Sequence, residues 1–562
     1  MNIKEVLQAA HALFFSLLLM ASCNRKAKAP ASETINAMDL KRGDIVLCGP
    51  PDKEFGTVSF ATSCSEKTSK DFDLAMALLH SFEYDEAEKA FAKIIDEEPT
   101  CAMAYWGVAM SNYHPLWTPP TTAELEKGAK AIAVAQSISG LSKRESNYID
   151  AIASFYKDWN QTDHRSRSLS YKSSMEKIYA AWPDEKEASI FYALALTAAA
   201  DPTDKSFANQ KKAYGILTAL YPGQPDHPGI VHYIIHSYDY PGLAELALPA
   251  ARKYASIAPS SAHALHMPSH VFTRLGLWED CIKSNIAAVA SAKCYAESSG
   301  IKGHWDEELH GLDYLMYAYL QRGDNELAKK QWDYLKTINE VHPFNFKVAY
   351  AFAAIPARYV LENKLWKEAA GVQVHNENFA WQNFPRQQAI IHFARALGAA
   401  HTANLDAARA ELKKLNSFHE ILAKKDPYNA NQVMIQVKTA EAWILFKSGK
   451  NNEAIQLMSM AATMEDDTEK HPVTPGEVIP ARELLADMLL EMNKPAEALK
   501  AYEEDMKRHP NRFNSLSGAA QAAEKSNNIE KANTYYRQLI AVANSSGSNR
   551  HEIETAKLFL KK

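Results

Sequence analysis

Cysteine is scarce in this chain, with six residues in 562, and no two of them form a Cys-x-x-Cys pair. That absence removes the zinc ribbon and the thioredoxin-type redox site. Net charge is small as well. The 62 lysines and arginines meet 67 aspartates and glutamates, for a formal charge of −5. No basic block is present to track a phosphate backbone, so nothing points to nucleic acid. Glycine and proline, at 21 and 25 residues, are not enriched, and no low-complexity tract of note interrupts the chain. His-Glu-x-x-His, Gly-x-Ser-x-Gly and a glycine-rich phosphate loop are all missing. The common zinc peptidases, acyl transfer from a serine elbow and nucleotide-using enzymes are therefore unsupported.

What is present is apolar surface in a repeating pattern. The chain is 47% hydrophobic and 23% charged. One compact core of this length would be unusual, so several domains or a solenoid is expected. A small residue, a bulky one four on, an apolar one seven on and a proline at twelve recur along the sequence. Ala87, Phe91, Ile94 and Pro99 fit. Ala247, Ala251, Tyr254 and Pro259 fit with a small second member, and Ala498, Tyr502, Asp505 and Pro510 fit apart from the aspartate. Ala532, Tyr536 and Leu539 follow 34 residues after Ala498, and Cys281 takes the small position 34 after Ala247. Shorter matches start at Ala328, Ala408 and Ala454. Offsets of four and seven mark one helix face, and the proline ends the second helix of a pair. Turn-forming residues precede several small positions, as in Phe82-Glu83-Tyr84-Asp85, Gly276-Leu277-Trp278, Gly323-Asp324-Asn325, Gly449-Lys450-Asn451 and Asn493-Lys494-Pro495.

This pattern resembles the tetratricopeptide repeat (TPR) family. The resemblance runs from about Asp71 to the C-terminus. It implies an all-α, right-handed solenoid of roughly eight to ten TPR-like helical hairpins stacked around a concave groove. The expected organisation starts with a lipoprotein signal peptide over 1–22 and a tether over 23–55. A first TPR-like repeat with an N-terminal loop follows over 56–117, then a helical segment of degenerate repeats over 118–224. TPR-like repeats with a histidine-rich groove occupy 225–340, and C-terminal TPR-like repeats occupy 341–562. Residues 465–480, with His471-Pro472 and Pro475-Gly476, read as a loop interrupting the spacing. Thr62-Ser63-Cys64, Leu78-Leu79-His80-Ser81-Phe82, the run from Cys101 to Gly107 and His266-Met267-Pro268-Ser269-His270 resemble a group of bacterial TPR lipoproteins. That resemblance implies no activity. Within it, Cys64 and Cys101 are either a disulfide or two buried thiols. Trp106, Tyr113 and Trp117 wall a ligand pocket or belong to the core.

Histidine is concentrated. Residues 227–270 carry six of the chain's 20, against about 1.6 for an even spread. His232 and His236 are four apart, as are His266 and His270, and the two pairs are 34 residues apart. A spacing of four puts both rings of a pair on one helix face. A step of one repeat sets the pairs side by side, so that four imidazoles converge. The TPR register implies groove-lining positions for His232 and His236 in one repeat, for His263, His266 and His270 in the next, and for His310, Asp313 and Tyr317 in a third. The expected metal ligands are His232, His236, His266, His270 and His310. Asp239, His263, Glu307, Asp313 and Tyr317 are expected around them, holding imidazole N–H groups or a bound oxygen. An all-imidazole set suits zinc, copper, iron or nickel. Four closed ligands imply a structural or transport site, and three with an open position imply catalysis. A groove for an organic anion or peptide, and plain structural histidines, are the competing readings.

At the N-terminus, the apolar run from Ala12 to Ala21 is too short to span a bilayer. Met20-Ala21-Ser22-Cys23 resembles the bacterial lipoprotein signal, which implies lipidation of Cys23. An ordinary secretion signal with a chance cysteine is the alternative. Asn24 and Arg25-Lys26-Ala27-Lys28 favour an outer-membrane anchor facing the periplasm. Without Cys23 five cysteines remain in an oxidising compartment, so at least one thiol is left over. The expected function is a lipid-anchored TPR scaffold binding a protein or small-molecule ligand, with a transition-metal site in its groove and the membrane as second partner. The alternative is a metal-dependent enzyme using the same histidines.

Overall fold

A computed structural model describes residues 28–50, 54–116, 118–543, 548 and 550–561. The expected signal segment, Cys23 and Trp117 lie outside the described residues. Helices follow one another in pairs from Ser69–His80 to Ile529–Ala543, making about a dozen hairpins. This exceeds the roughly eight to ten expected from the TPR spacing. The excess comes from residues 118–224, which fold as Thr122–Ser137, Lys143–Tyr156, His164–Ala181, Lys186–Ala198 and Ala208–Leu220. They are helical as expected, but their spacing departs from the 34-residue repeat, so the repeat signature does not mark them as hairpins. The strands among the described residues are a two-residue parallel pair, His304–Trp305 with Val341–His342. The architecture is an all-α solenoid of TPR-like hairpins. Among the described residues no helix is long and apolar enough to cross a membrane.

The packing logic of the repeat is visible at the signature positions. Ala87, Ala247, Cys281, Ala328, Ala498 and Ala532 are fully buried. The bulky residue four on seats against a glycine of the following helix. A Cβ on Gly107 would fall 2.3 Å from the Phe91 ring, and one on Gly518 would fall 2.2 Å from the Tyr502 ring. No side chain fits there, so the helices close to contact. The links predicted between helices turn through left-handed residues: Phe82, Gly276, Gly323, Gly449 and Asn493 all have positive φ. Glycine takes that conformation without strain, and asparagine tolerates it better than most.

The chain forms two compact units. One comprises residues up to Asp44, Ser59–Leu79 and Tyr84–Ala188. Its core stacks Phe60 on Phe72 and on Trp106, each at 5.6 Å. Cys64 and Cys101 are joined as a disulfide, which closes that alternative, and Trp106 and Tyr113 are core. Within the stretch expected as a tether, Met38 and Leu40 are buried here, and the Lys41 backbone N–H donates to Glu88 at 2.8 Å.

The other unit comprises Ile45–Val58, His80–Glu83 and Ser189–Lys562. A second disulfide, Cys48–Cys294, pins its leading segment, and Cys281 is left as a buried free thiol. The loop expected near 465–480 is well packed. The Tyr314 hydroxyl donates to the Val473 carbonyl at 3.1 Å. Tyr350 and Arg358 donate to the Gly476 carbonyl at 3.1 and 2.9 Å, and Arg358 also reaches the Glu477 carbonyl at 2.9 Å. Helices Asp306–Gln321 and Phe346–Glu362 thus hold this segment by its backbone. Beyond it, the Trp278 indole N–H donates to the Asn511 carbonyl at 2.8 Å.

Candidate metal centre

Four short helical segments carry the histidines. Pro228, at the first turn of Pro228–Tyr238, presets the backbone where no N–H is needed. His232 and His236 then lie one turn apart on that helix. The next inner helix is broken: Ala262–His266 ends at Met267, and Pro268–Arg274 restarts at once. Pro268 has no N–H to bond back into the preceding turn, which interrupts the bonding at Met267. Met267 itself keeps helical dihedrals, so His266 and His270 stay one turn apart on one face. His310 comes from Asp306–Gln321.

The rings gather as two trios, each with its ligating atoms within 4.8 Å of one another: His232, His236 and His263, then His266, His270 and His310. In the first, His232 Nε2 lies 2.9 Å from His236 Nε2 and 3.1 Å from His263 Nε2. Phe82 covers this trio, its ring 4.4 Å from that of His232. In the second, His266 Nε2 lies 3.1 Å from His270 Nε2, and the His310 ring centre is 4.1 Å from that of His266. The spacing implied one cluster of four rings from two helices. The structure instead gives each pair a third imidazole, His263 or His310.

Hydrogen bonds fix the tautomers. His232 Nδ1 donates to the His80 carbonyl at 2.6 Å. His270 Nδ1 donates to Asp239 at 2.9 Å. His266 Nδ1 faces Asn285 Oδ1 at 2.7 Å; the Asn285 amide nitrogen donates to the Cys281 carbonyl at 2.8 Å, so the oxygen must be the atom at His266. With both Nδ1 atoms protonated, His266 and His270 present bare Nε2 lone pairs to each other. Two lone pairs at 3.1 Å repel unless a cation lies between them. A tetrahedral ion with bonds of about 2.0–2.1 Å holds its nitrogens about 3.3 Å apart, close to this separation.

A proton is a poor candidate for that cation. Burial, followed by the charge of neighbouring imidazoles, drives His232, His236 and His263 well below the ordinary histidine range. Burial does the same to His266 and His310, where nearby Lys347 adds to it. His270 is lowered by burial too, although Asp239 pulls the other way. Burial would raise Asp239, but Lys470, Arg274 and His270 outweigh it and hold the carboxyl well below its usual range. Arg274 Nε is 2.9 Å from Asp239, and Lys470 Nζ is 3.6 Å away. Burial brings Lys470 down to about 8.

Of the residues expected around the ligands, Asp239 reaches an imidazole, and His263 joins a trio outright. The others are engaged by cations. Glu307 bonds Lys347. Asp313 lies 3.3 Å from Arg358, with burial pushing its carboxyl up to about 6. Tyr317 accepts from Arg512 at 3.2 Å, and burial pushes its hydroxyl up to about 12. Asn285, the His80 carbonyl, Phe82, Tyr314 and Lys470 are parts of the centre that the repeat pattern did not flag. His80 and Phe82 do lie in one of the motif stretches.

Fold and site together define a TPR-like solenoid in which buried histidines form two trios. No family model matches the chain, and no curated protein does. Among solved structures it is similar to a human IFIT1 dimer with PPP-AAAA, at 12% identity over 83% of this chain and 94% of that chain, with a TM-score of 0.36. It is also similar to the P58(IPK) TPR domain, at 14% identity over 67% of this chain and 98% of that one, with a TM-score of 0.20. The APC/C hetero-tetramer Cut9–Hcn1 is a third, at 13% identity over 89% and 96%, with a TM-score of 0.25.

Proposed function

We propose that this chain is a TPR-like scaffold that binds a transition metal in its buried histidine centre. The observation that carries this reading is the 3.1 Å approach of His266 Nε2 to His270 Nε2, both rings having committed their Nδ1 protons elsewhere. Elemental analysis of the purified mature chain tests it. Zinc, copper, iron or nickel is expected to co-purify, and to be largely lost in His266→Ala. A metal-free wild-type chain that takes up none of the four on reconstitution would leave a plain protein- or ligand-binding scaffold.

A metal-dependent enzyme is the second reading, because three donors per trio leave a position open for a reacting group. Binding is the leading reading, because the Nε2–Nε2 approach that carries it calls for a bound ion and for no substrate.

We further propose that the scaffold is held at the cell envelope through lipid on Cys23, facing the periplasm from the outer membrane. The short apolar run and the Met20-Ala21-Ser22-Cys23 sequence support it, and the two disulfides suit an oxidising compartment. Incorporation of labelled fatty acid into the expressed chain, abolished by Cys23→Ser, is the expected result. A wild-type chain that stays unlabelled would remove the anchor.

A further inference from the structure

Six imidazoles are too many for one ion. A tetrahedral centre uses four, and a centre that keeps an open position uses three. The histidines here divide in that proportion, into two sets whose donor atoms lie within 4.8 Å inside each set. The sets adjoin, because His263 of the first and His266 of the second are three residues apart on the same short helix, neighbours on one face. Each set has its own orienting acceptor. The His80 carbonyl holds His232, while Asn285 and Asp239 hold His266 and His270. Such partners fix ring direction and tautomer and are the usual companions of a ligating histidine.

The charge around the rings narrows the choice of ion. Neither trio contains a carboxylate or a thiolate. The carboxylate bonded to His270, Asp239, is already shared with Arg274 and Lys470. The Lys347 ammonium, which bears on His263, His266 and His310, is itself paired with Asp306 at 2.6 Å and with Glu307. Two divalent ions would add four positive charges to a buried interior whose carboxylates, Asp239, Asp306 and Glu307, are already taken up by Arg274, Lys470 and Lys347, which is strongly unfavourable. Two monovalent ions would add half of that. Among metals suited to imidazole, copper has a stable monovalent state.

We infer that the centre is dinuclear, holding two monovalent copper ions, one in His232–His236–His263 and one in His266–His270–His310. This rests on the metal-binding reading above and goes beyond it in number and identity. The test is anaerobic titration of the metal-stripped mature chain with copper(I), and separately with zinc sulfate, reading equivalents bound per chain. Two equivalents of copper(I) are expected, not displaced by a tenfold excess of zinc. His232→Ala and His310→Ala should each bind one equivalent, and the double variant none. Saturation of the wild-type chain at one copper equivalent overturns the dinuclear centre while leaving the metal-binding reading intact. Displacement of copper by zinc overturns the choice of ion. No binding of either metal by the wild-type chain overturns both readings. Should an alanine variant fail to fold, His232→Gln and His310→Gln, with circular dichroism matching wild type, carry the same comparison. Loss of both equivalents from one folded single variant would also overturn the assignment of one ion per trio.

Discussion

Stripped of metal, the chain is expected to lose stability steeply as pH falls below about 6.5. His232, His263, His266, His270 and His310 are buried, and all five are held below the histidine reference value of 6.5 in the folded chain. The unfolded chain regains that value. Below pH 6.5 the unfolded state therefore binds protons that the folded state refuses, and acid favours unfolding. Each such group contributes about 1.4 kcal/mol per pH unit once the unfolded form is fully protonated. Five together approach about 7 kcal/mol per unit, comparable with the whole stability of a typical domain. His509 does not compensate. Burial works against its charge, but Asp505 and Glu477 raise it to about 10, so its stabilisation is complete below 6.5 and is lost only as pH rises through that higher value. Far-ultraviolet circular dichroism against pH would report the transition. The metal-free chain should unfold within one to two units below 6.5, and the metal-loaded chain at distinctly lower pH. Equal acid midpoints with and without metal would contradict ligation, and a metal-free chain that stays folded more than two units below 6.5 would contradict the burial of these rings as neutral groups.

The second large effect is expected at Arg512. Its guanidinium is fully buried between two buried carboxylates, Glu362 and Glu483. It donates to Glu362 at 2.7 Å, to Glu483 at 2.9 and 3.1 Å, and to the Tyr317 hydroxyl at 3.2 Å. Asn514 adds a bond to Glu362 at 2.9 Å and Ser515 one to Glu483 at 2.6 Å. Arg512→Met leaves two carboxylates facing each other without a counter-charge. Breaking such a buried set from one side costs about 3–5 kcal/mol. Denaturant titration at neutral pH should show that loss. Neutralising the stranded groups with Glu362→Gln and Glu483→Gln in the same chain should recover much of it, because an apolar or neutral replacement of a whole buried ionic set is far better tolerated than its halving. A single Arg512→Met variant as stable as wild type would show that the network carries no net stabilisation.

Much of the fold can be read directly from the residues. The small position and its bulky partner recur because hairpins stack through that contact, and the Phe91–Gly107 and Tyr502–Gly518 approaches are its physical content. The links at Gly276, Gly323 and Asn493 are legible because few residues accept the backbone they require. Residues 118–224 are legible as helical but not as counted repeats, since hairpins of other lengths satisfy the same packing without the 34-residue beat. At the site, the repeat register gives the direction in which His232, His236, His266, His270 and His310 point, but not what meets them. Asn285 is 19 residues from His266, and the His80 carbonyl is 152 from His232. Neither partner belongs to a periodic pattern. Asp313, Tyr317 and Glu307 stand at or beside the expected register positions, yet Arg358, Arg512 and Lys347 take them up, because a buried carboxylate or phenol settles on the nearest cation. Pro268 leaves a backbone bond unmade between His266 and His270, yet the pair keeps the one-turn spacing that periodicity reads.

The segment around Val473, Gly476 and Glu477, held through its carbonyls by Tyr314, Tyr350 and Arg358, is a built-in occupant of those side chains. Any outside peptide seeking the same donors competes with a tethered occupant at an effective concentration of about millimolar or more. The donors of Tyr314, Tyr350 and Arg358 are thereby spent within the chain while the segment stays packed.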